Sequence, residues 1–362
     1  PTIAQISISG AKLLDKDQIR AALKSQNFAE GRIFQQDVLD AGINELKQQY
    51  FIQGRYSVSV KTTQTKLERN RIGIQLDVSE GDVAHIKRIN IVGNKAFESA
   101  KLIDLFSLTT SGWMTWYTKS DQYSKPKFTA DLEKLRSFYQ DRGYLDFNID
   151  STQVAISEDK EEIYLTVNVT EGEKYTVGDI RFAGDLVVPE AELRKQLAMK
   201  TGEVFSREKV TRTGSSIAEL LGKDGYAFAN VNPVPDVDRE KHVVGFTFYV
   251  DPGRKTFVRN INISGNSITR DEVIRREMRQ MEAAQYDGAK LKRSKERLQQ
   301  LDYFKEVNIE TPVVPDAVDQ VDVNVSVTEK PTGSVQLGAG FSQDNGFALS
   351  ASISQSNFFG SG

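Results

Sequence analysis

Cysteine is absent from the 362-residue sequence, which excludes disulfide bonds, thiolate nucleophiles and cysteine-built metal sites. Histidine is scarce, since the chain has only His85 and His242, which lie far apart in sequence. Walker, GxSxG, HExxH and dinucleotide-binding motifs are also missing. The sequence therefore predicts no catalytic residue, no bound metal and no cofactor, and it does not indicate an enzyme.

Long hydrophobic runs are missing as well. No apolar run reaches about 18 residues, the length that a membrane-spanning helix needs. The net charge of −3 provides no general attraction to nucleic acid, so we expect no nucleic-acid partner. No signal peptide precedes Pro1, and we therefore expect a processed chain or a segment of a longer one.

What the sequence does contain is a repeat. An apolar-x-apolar-x-glycine pattern occurs four times, and its glycines are 83, 91 and 81 residues apart. The four copies are Ile6/Ile8/Gly10, Ile89/Ile91/Gly93, Ile180/Phe182/Gly184 and Ile261/Ile263/Gly265. A short helix, a longer helix and two strands are expected after each copy. The sequence thus predicts an α+β fold of four tandem β-α-α-β-β units, each with two helices on one face of a three-stranded mixed sheet.

Helix signals support this order of elements. Asp15 with Gln18, and Thr269 with Glu272, are spaced as capping boxes at the start of a short helix. Three of the longer helices are expected to end at a glycine that is followed by an aromatic residue, in "QGRYSVSV", "DRGYLDFN" and "DGYAFANV". We place the units at residues 1–82, 83–174, 175–254 and 255–331.

The remaining residues, 332–362, have a different pattern. Two alternating segments flank Asp344-Asn345-Gly346, which is a strong hairpin signal. Small or polar residues on one face and apolar residues on the other are typical of transmembrane barrel strands. We therefore expect a β-hairpin from the start of a truncated β-barrel, and the alternative is a hairpin of a soluble sheet.

Several phrases together resemble the POTRA-bearing outer-membrane protein insertases, the BamA family of Gram-negative bacteria. They are "RINIVGNKAF", "LRSFYQDRGYLDFNIDSTQV", "LTVNVTEGEKY", "VIRREMRQMEAAQ", "ERLQQLDYF" and "NFFGSG". The resemblance covers essentially the whole chain and matches the family's second to fifth POTRA units with the first barrel strands. It implies the periplasmic arm of a β-barrel assembly insertase, attached to the outer membrane through the barrel. The alternatives are the POTRA arm of a related secretion or translocation transporter, and a passive structural spacer in the periplasm.

Open sheet edges are the first candidate site. A three-stranded sheet with helices on one face keeps two edge strands, whose unpaired backbone groups can accept an extended segment. The resemblance implies that the middle strand of each unit lies on such an edge, and that unfolded outer-membrane proteins are the partners added there. These strands are expected at residues 57–62, 147–156, 227–234 and 306–313.

The second unit offers the strand that we favour for this strand addition. It is long, weakly charged and free of proline, whereas Pro233 and Pro312 blunt the third and fourth edges. The alternative is that the edge stays solvated. The candidate residues are Asp150, Ser151, Thr152, Gln153, Val154, Ala155 and Ile156.

A basic stretch in the fourth unit is the second candidate site. Residues 270–297 contain nine Lys or Arg and six Asp or Glu. Arg275, Arg279 and Glu282, at i, i+4 and i+7, are expected to share one helix face, with Arg279 and Glu282 close enough to pair. The resemblance implies that these positions dock lipoproteins of the assembly complex, BamD among them. A solvated face with weak ion pairs is the ordinary interpretation of such a run, and contact with anionic lipid headgroups is a further alternative.

The long connection in the second unit is the third candidate. It contains Trp113, Trp116 and Tyr117, and both tryptophans of the chain are among them. These aromatic residues either pack back on their own domain or form an exposed contact loop for a partner or the membrane interface.

Overall fold

The computed structural model describes residues 1–112, 115–315, 317–342 and 346–362. The chain divides into two compact units, one formed by Pro1–Tyr175 with Val204–Arg207 and the other by Thr176–Glu203 with Glu208–Gly362. Four β-sheets, each accompanied by helices, follow one another along the chain. We name the segments built around them modules one to four.

Module one has its central strand last in sequence. Strand β3 lies between β1, which runs parallel to it, and β2, which runs antiparallel. The capping box at Asp15 and Gln18 is confirmed at the start of α1. Its elements are β1 (Thr2–Ser9), α1 (Lys16–Ser25), α2 (Gln36–Ile52), β2 (Ser59–Leu67) and β3 (Arg71–Ser79).

Module two repeats this order, with β6 between the parallel strand β4 and the antiparallel strand β5. A third, short helix in the long connection was not expected from the sequence. The elements are β4 (His85–Val92), α3 (Ser99–Ile103), α4 (Thr115–Thr118), α5 (Lys125–Gln140), β5 (Asn148–Ile156) and β6 (Glu162–Thr170).

Modules three and four keep the same strand order, and module four adds a short strand that pairs with its central strand. Module three comprises β7 (Thr176–Gly184), α6 (Glu190–Arg194), α7 (Arg207–Lys223), β8 (Asn230–Asp238) and β9 (Val243–Asp251). Module four comprises β10 (Phe257–Ser264), α8 (Asp271–Glu277), α9 (Gly288–Gln300), β11 (Phe304–Glu310), β12 (Val313–Val314) and β13 (Ala317–Glu329).

Each core lies between the helices and one face of the central strand. In β6, Ile163, Leu165, Val167 and Val169 are buried, and the residues between them are more exposed. This alternation with period two is what a sheet covered on one face requires. The predicted α+β fold of tandem units is confirmed.

The glycine of the repeated pattern lies at a close approach between two strands in every module. Gly10, Gly93, Gly184 and Gly265 all have φ between 79° and 99°. A Cβ added at any of them would lie 2.0 to 2.3 Å from a carbonyl oxygen of the central strand. Only glycine accommodates both the left-handed backbone and this contact, which explains why glycine ends every copy of the repeated pattern.

In three modules, a glutamate at the end of the central strand binds the loop that follows the first strand. Glu80 accepts hydrogen bonds from the N–H groups of Lys12 and Leu13 at 2.6 and 2.7 Å, and from the Tyr50 hydroxyl at 3.0 Å. Burial opposes ionisation, but these donors outweigh it and hold the pKa of Glu80 below its usual value. We call this arrangement the carboxylate clamp.

The clamp recurs in modules two and four. Glu171 accepts from the N–H groups of Lys95 and Ala96 and from the Tyr139 hydroxyl at 2.7 Å. Glu329 accepts from the N–H groups of Ser267, Ile268 and Thr269 at 2.6 to 3.0 Å. In module three the corresponding position is Pro252.

The capping box predicted at Thr269 and Glu272 is wrong. Helix α8 begins after Arg270, which makes no side-chain cap hydrogen bond. The N–H of Thr269 is instead bonded to Glu329 in the carboxylate clamp. By contrast, Gly54, Gly143 and Gly225 have φ of 78°, 102° and 95°, which confirms the left-handed residues predicted after the long helices.

The expected hairpin is present after module four. Strand β14 (Gly333–Ser342) pairs antiparallel with β15 (Gly346–Gln355), and a 3₁₀ turn follows at Phe358–Gly360. Asp344 and Asn345 of the predicted turn lie outside the described residues. The helices in the described part of the chain include no candidate for a membrane span.

Candidate functional site

The first strand of every sheet is bonded on its outer edge, at its second residue, to the module's own chain. The segment before the long helix exchanges two backbone hydrogen bonds with it, at 2.7 to 3.3 Å. In the following pairs the N–H donor is named first. They are, from module one to module four, Ile3–Arg32 and Gly31–Ile3; Ile86–Asp121 and Ser111–Ile86; Val177–Glu203 and Gly202–Val177; and Val258–Ala284 and Ala283–Val258. The two edge strands expected for each sheet are present, and the outer edge of the first strand is occupied at this one residue.

A carboxylate adds to this bonding at a β-bulge in modules one and four. The register of β1 shifts between Ile3 and Gln5, and Glu30 accepts the N–H of Ile6 at 2.9 Å. The register of β10 shifts between Val258 and Ile261, and Glu282 accepts the N–H of Ile261 at 2.7 Å. Ile6 and Ile261 lie just after these register shifts, and in each case a glutamate satisfies the backbone N–H.

The second edge of each sheet is formed by the middle strand, as predicted, although the observed bounds differ. Strands β2, β5, β8 and β11 each pair with the central strand, and among the described residues the sheets place no strand on their other side. These four strands are the candidate sites for the addition of an extended peptide.

Three of these edges carry features that discourage pairing. Strand β2 contains Lys61 and Lys66, and β11 contains three charged residues within seven. Pro233 and Pro235 lie inside β8, and β9 pairs past both without a register shift. Prolines two residues apart remove two donors from the same side of the strand, which must be the open side because the ladder to β9 is continuous. Pro312, in contrast, lies beyond the end of β11.

Strand β5 lacks these features. Asp150 is the only charged residue in Asn148–Ile156, and the strand contains no proline. Val154 and Ile156 are 37% and 40% exposed, so apolar side chains are available beside the backbone. We therefore regard β5 as the least protected of the four edges.

The direction of the β5 donors follows from the turn after the strand. The N–H of Ser157 donates to the carbonyl of Glu162 at 3.0 Å, so it points toward β6. Inward and outward donors alternate along an antiparallel strand. The N–H groups of Thr152, Val154 and Ile156 consequently point away from β6, and those of Gln153 and Ala155 point toward it.

The beginning of β5 is held by side chains across the ladder. The register shifts between Ile149 and Ser151, which places Asp150 in a bulge. Asp150 accepts hydrogen bonds from Asn148 at 2.8 Å and Thr170 at 2.6 Å, and Ser151 accepts from Asn168 at 2.8 Å. Of the seven predicted residues, Asp150 and Ser151 are therefore engaged within the module, and the outward donors lie at Thr152, Val154 and Ile156.

The predicted helix face of Arg275, Arg279 and Glu282 is wrong. Helix α8 ends at Glu277, and Met278 has extended backbone angles. Arg275, rather than Arg279, contacts Glu282, at 3.5 Å, and it also donates to the carbonyl of Ile261 at 2.9 Å. Arg275 and Glu282 thus hold the bulge of β10 from inside module four.

The helix stops because the turn after it is organised by a buried side chain. Gln280 is 1% exposed, donates to the carbonyls of Met281 and Gln285, and accepts the N–H of Asp287. The helical spacing of Arg275, Arg279 and Glu282 in the sequence gives no indication of such a turn. Met281, which is 67% exposed, and the exposed Arg279 lie on the surface of this loop.

The aromatic loop is anchored to β4. His85 Nδ1 lies 2.9 Å from Asp121 Oδ2, and the same carboxylate oxygen accepts from the Ser111 hydroxyl at 2.9 Å. Tyr117 in α4 is 74% exposed. Trp113 and the side chain of Trp116 lie outside the described part of the structure. The proposed contact role of this loop stays a prediction.

The site contains backbone donors and few reactive groups. No group of three or more His, Cys, Asp or Glu side chains within the described ranges could hold a metal ion. What the geometry offers is a row of main-chain hydrogen-bonding groups on an open sheet edge.

Comparison with known proteins agrees with the repeated fold. The POTRA family model, described as surface antigen variable number repeat, matches residues 1–81, 84–172, 175–253 and 256–330. The chain belongs to the POTRA repeat family. POTRA repeats therefore account for all four modules.

The relatives of this POTRA chain are outer membrane protein assembly factors. It is 41% identical to BamA of Neisseria meningitidis serogroup B and 29% identical to BamA of Buchnera aphidicola, in both cases over all of this chain. It spans 46% and 59% of those two proteins, about half their length. The POTRA3-5 crystal structure of Haemophilus influenzae BamA matches 68% of this chain and 96% of its own, with 29% identity and a TM-score of 0.61.

These similarities confirm the resemblance to BamA, and with it a place in the periplasm at the outer membrane. The chain is a BamA-like array of POTRA domains, and its relatives are named as assembly factors rather than enzymes.

Proposed function

We propose that this POTRA array is the periplasmic arm of an outer-membrane β-barrel assembly insertase. Its main activity is to receive unfolded outer-membrane proteins by strand addition to β5. The observation that carries the proposal is the row of outward N–H groups at Thr152, Val154 and Ile156 on an edge that lacks proline and has one charge.

Main-chain pairing suits clients of many sequences, because every residue except proline supplies the same donor and acceptor. The outer edge of each first strand is occupied at its start, so the middle strand is the less obstructed edge for this pairing. The side chains of Val154 and Ile156 lie opposite the buried residues Leu165 and Ile163. Apolar side chains of an added strand would extend this buried face.

Substitution of one outward donor tests the proposal. A synthetic peptide with the sequence of residues 346–355, an alternating strand, is titrated against the chain and chemical shifts of β5 and β6 are followed. Val154→Pro removes one outward N–H and should weaken binding about tenfold, the effect of a lost hydrogen bond of about 1.4 kcal/mol. Val154→Thr keeps the N–H and the branched shape, and should bind as the native chain does.

Two comparisons make this test decisive. Thr152→Pro removes a second outward donor and should reproduce the loss, while Ala155→Pro removes a donor to β6 and should instead destabilise the sheet. Equal peptide affinity in Val154→Pro, Thr152→Pro and the native chain, with all three folded, would contradict strand addition at β5. It would favour the passive spacer.

We further propose that the loop after α8 docks an accessory lipoprotein such as BamD. The exposed side chains of Arg279 and Met281 support this, since they lie in the same loop as Glu282, which contacts Arg275. A hydrophobic side chain next to an arginine is typical of protein interfaces.

The substitution that tests docking must spare the bulge of β10. Arg279→Glu changes an exposed charge and should abolish co-purification of the lipoprotein without changing thermal stability. Glu282→Lys removes the acceptor of the Ile261 N–H and should lower stability as well, so it does not separate folding from docking. Unchanged co-purification with Arg279→Glu would contradict this docking surface.

A further inference from the structure

The segment after β15 folds back onto module four. Asn357 is only 6% exposed, whereas Phe358 and Phe359 next to it are 62% and 77% exposed. This reverses the usual preference for burying apolar side chains and exposing polar ones. A buried asparagine must be satisfied by specific hydrogen bonds, so the segment has a defined contact surface.

The contacts of this segment converge on the loop between β10 and α8. Asn357 Nδ2 donates to the hydroxyl of Thr269 at 2.8 Å, and its Oδ1 accepts the N–H of Gly362 at 3.0 Å. The N–H of Arg270 donates to the carbonyl of Gly360 at 3.0 Å. Thr269 is itself 2% exposed, so the Asn357–Thr269 bond lies away from solvent.

Gly360 makes the approach of the two segments very close. Its φ is 68°, and an added Cβ would lie 2.0 Å from the carbonyl oxygen of Ile268. A side chain at this position would collide with backbone, which cannot move aside as a flexible side chain would. The segment therefore fits the loop only with glycine here.

The same loop is held from the other side by the carboxylate clamp. Glu329 accepts the N–H groups of Ser267, Ile268 and Thr269, and the next N–H, of Arg270, goes to Gly360. Four successive donors are thus shared between the end of β13 and the segment after the hairpin. The loop therefore contacts both the end of β13 and the segment after the hairpin.

We propose that Asn357–Gly362 is a strap that fixes the orientation of the β14–β15 hairpin against module four. The strands leave module four at Glu329 and the strap returns to it at Thr269, so the hairpin is attached at both ends. Release of the strap leaves the hairpin attached only through residues 330–332. This role does not depend on client binding to β5.

Amide exchange in the 362-residue chain tests the strap locally. In Gly360→Ala and Asn357→Ala, the N–H of Arg270 should exchange about tenfold faster, as expected for the opening of one protected group. The N–H of Ile268 should exchange as before, because it is bonded to Glu329. Gly202→Ala is the matched control, since Gly202 has φ of 89° but no atom within 4 Å of an added Cβ.

A distance measurement tests the effect on the hairpin. The chain has no cysteine, so spin labels can be attached specifically through Ser352→Cys in β15 and Lys305→Cys in β11. The distance distribution should be narrow in the native background and in Gly202→Ala, and broad in Gly360→Ala and Asn357→Ala. Native-like Arg270 exchange, or a distribution that stays narrow in both strap variants, would overturn the proposal.

Discussion

Modules two and three show that the same fold forms with and without the carboxylate clamp. In module two, Glu171 at the end of the central strand binds two loop N–H groups and the Tyr139 hydroxyl. In module three, Pro252 occupies that position, and the loop carries Leu186 and Val187, which are 37% and 38% exposed. The fold therefore does not require a glutamate at the end of the central strand.

What both modules keep is the glycine before that loop. Gly93 and Gly184 have φ of 99° and 93°, and each packs against a carbonyl oxygen of its central strand. The close approach of the first and third strands is therefore part of the fold. The carboxylate clamp is an addition that stabilises the loop after it.

The largest expected effect comes from breaking the shared feature. Gly93→Ala and Gly184→Ala should each lower the free energy of unfolding by about 4 kcal/mol, because alanine adds left-handed strain and a backbone clash. The free energy of local unfolding, measured by amide exchange, should fall equally in the two modules. Gly202→Ala, strained but without a clash, should cost about 1 kcal/mol. A small effect at Gly184 alone would mean that module three does not need the glycine.

Removing the clamp from module two should have the next largest effect. Glu171→Ala leaves the Tyr139 hydroxyl buried without its acceptor, at a cost of about 3 kcal/mol in urea unfolding. Adding Tyr139→Phe removes the orphaned hydroxyl and should recover about 1 kcal/mol. If the double variant is less stable than Glu171→Ala by the full cost of Tyr139→Phe alone, the two residues do not act together.

The clamp of module four gives a pH dependence that Pro252, at the corresponding position of module three, cannot give. Burial would raise the pKa of Glu329, but hydrogen bonds from Ser267 and Thr269 outweigh it and lower the pKa to about 2. A depressed pKa stabilises the fold above the ordinary value of 4.5, and this stabilisation is lost as pH falls from 4.5 toward 2. The stability difference between the native chain and Glu329→Gln should shrink by about 1–2 kcal/mol between pH 6 and pH 2.5, measured by urea unfolding. A constant difference would contradict the assignment.

The repeat and the central strands could be predicted from the sequence because they depend on local signals. These signals are the alternation of apolar residues with a period of two and the recurring glycine, such as Gly93 or Gly265. The bonds on the outer edge of each first strand could not be predicted, since the contact of Ile3 with Arg32 joins a strand to a loop without periodicity. The role of Glu282 was missed for a related reason: its partner Ile261 lies just after a bulge, 21 residues away. A hydrogen bond from a single backbone N–H to a residue far along the chain leaves little trace in the pattern of the sequence.

The smallest expected effect comes from adding the clamp to module three. Pro252→Glu places a carboxylate where Glu171 lies in module two, within the same strand-end geometry. It should slow amide exchange of Leu186 and stabilise the loop by about 0.5–1 kcal/mol, because new hydrogen bonds are partly offset by the loss of proline rigidity. Pro252→Gln has the same length without the charge, and should give about half the gain. Faster exchange at Leu186 in both variants would mean that the proline, rather than a missing carboxylate, determines how module three holds its loop.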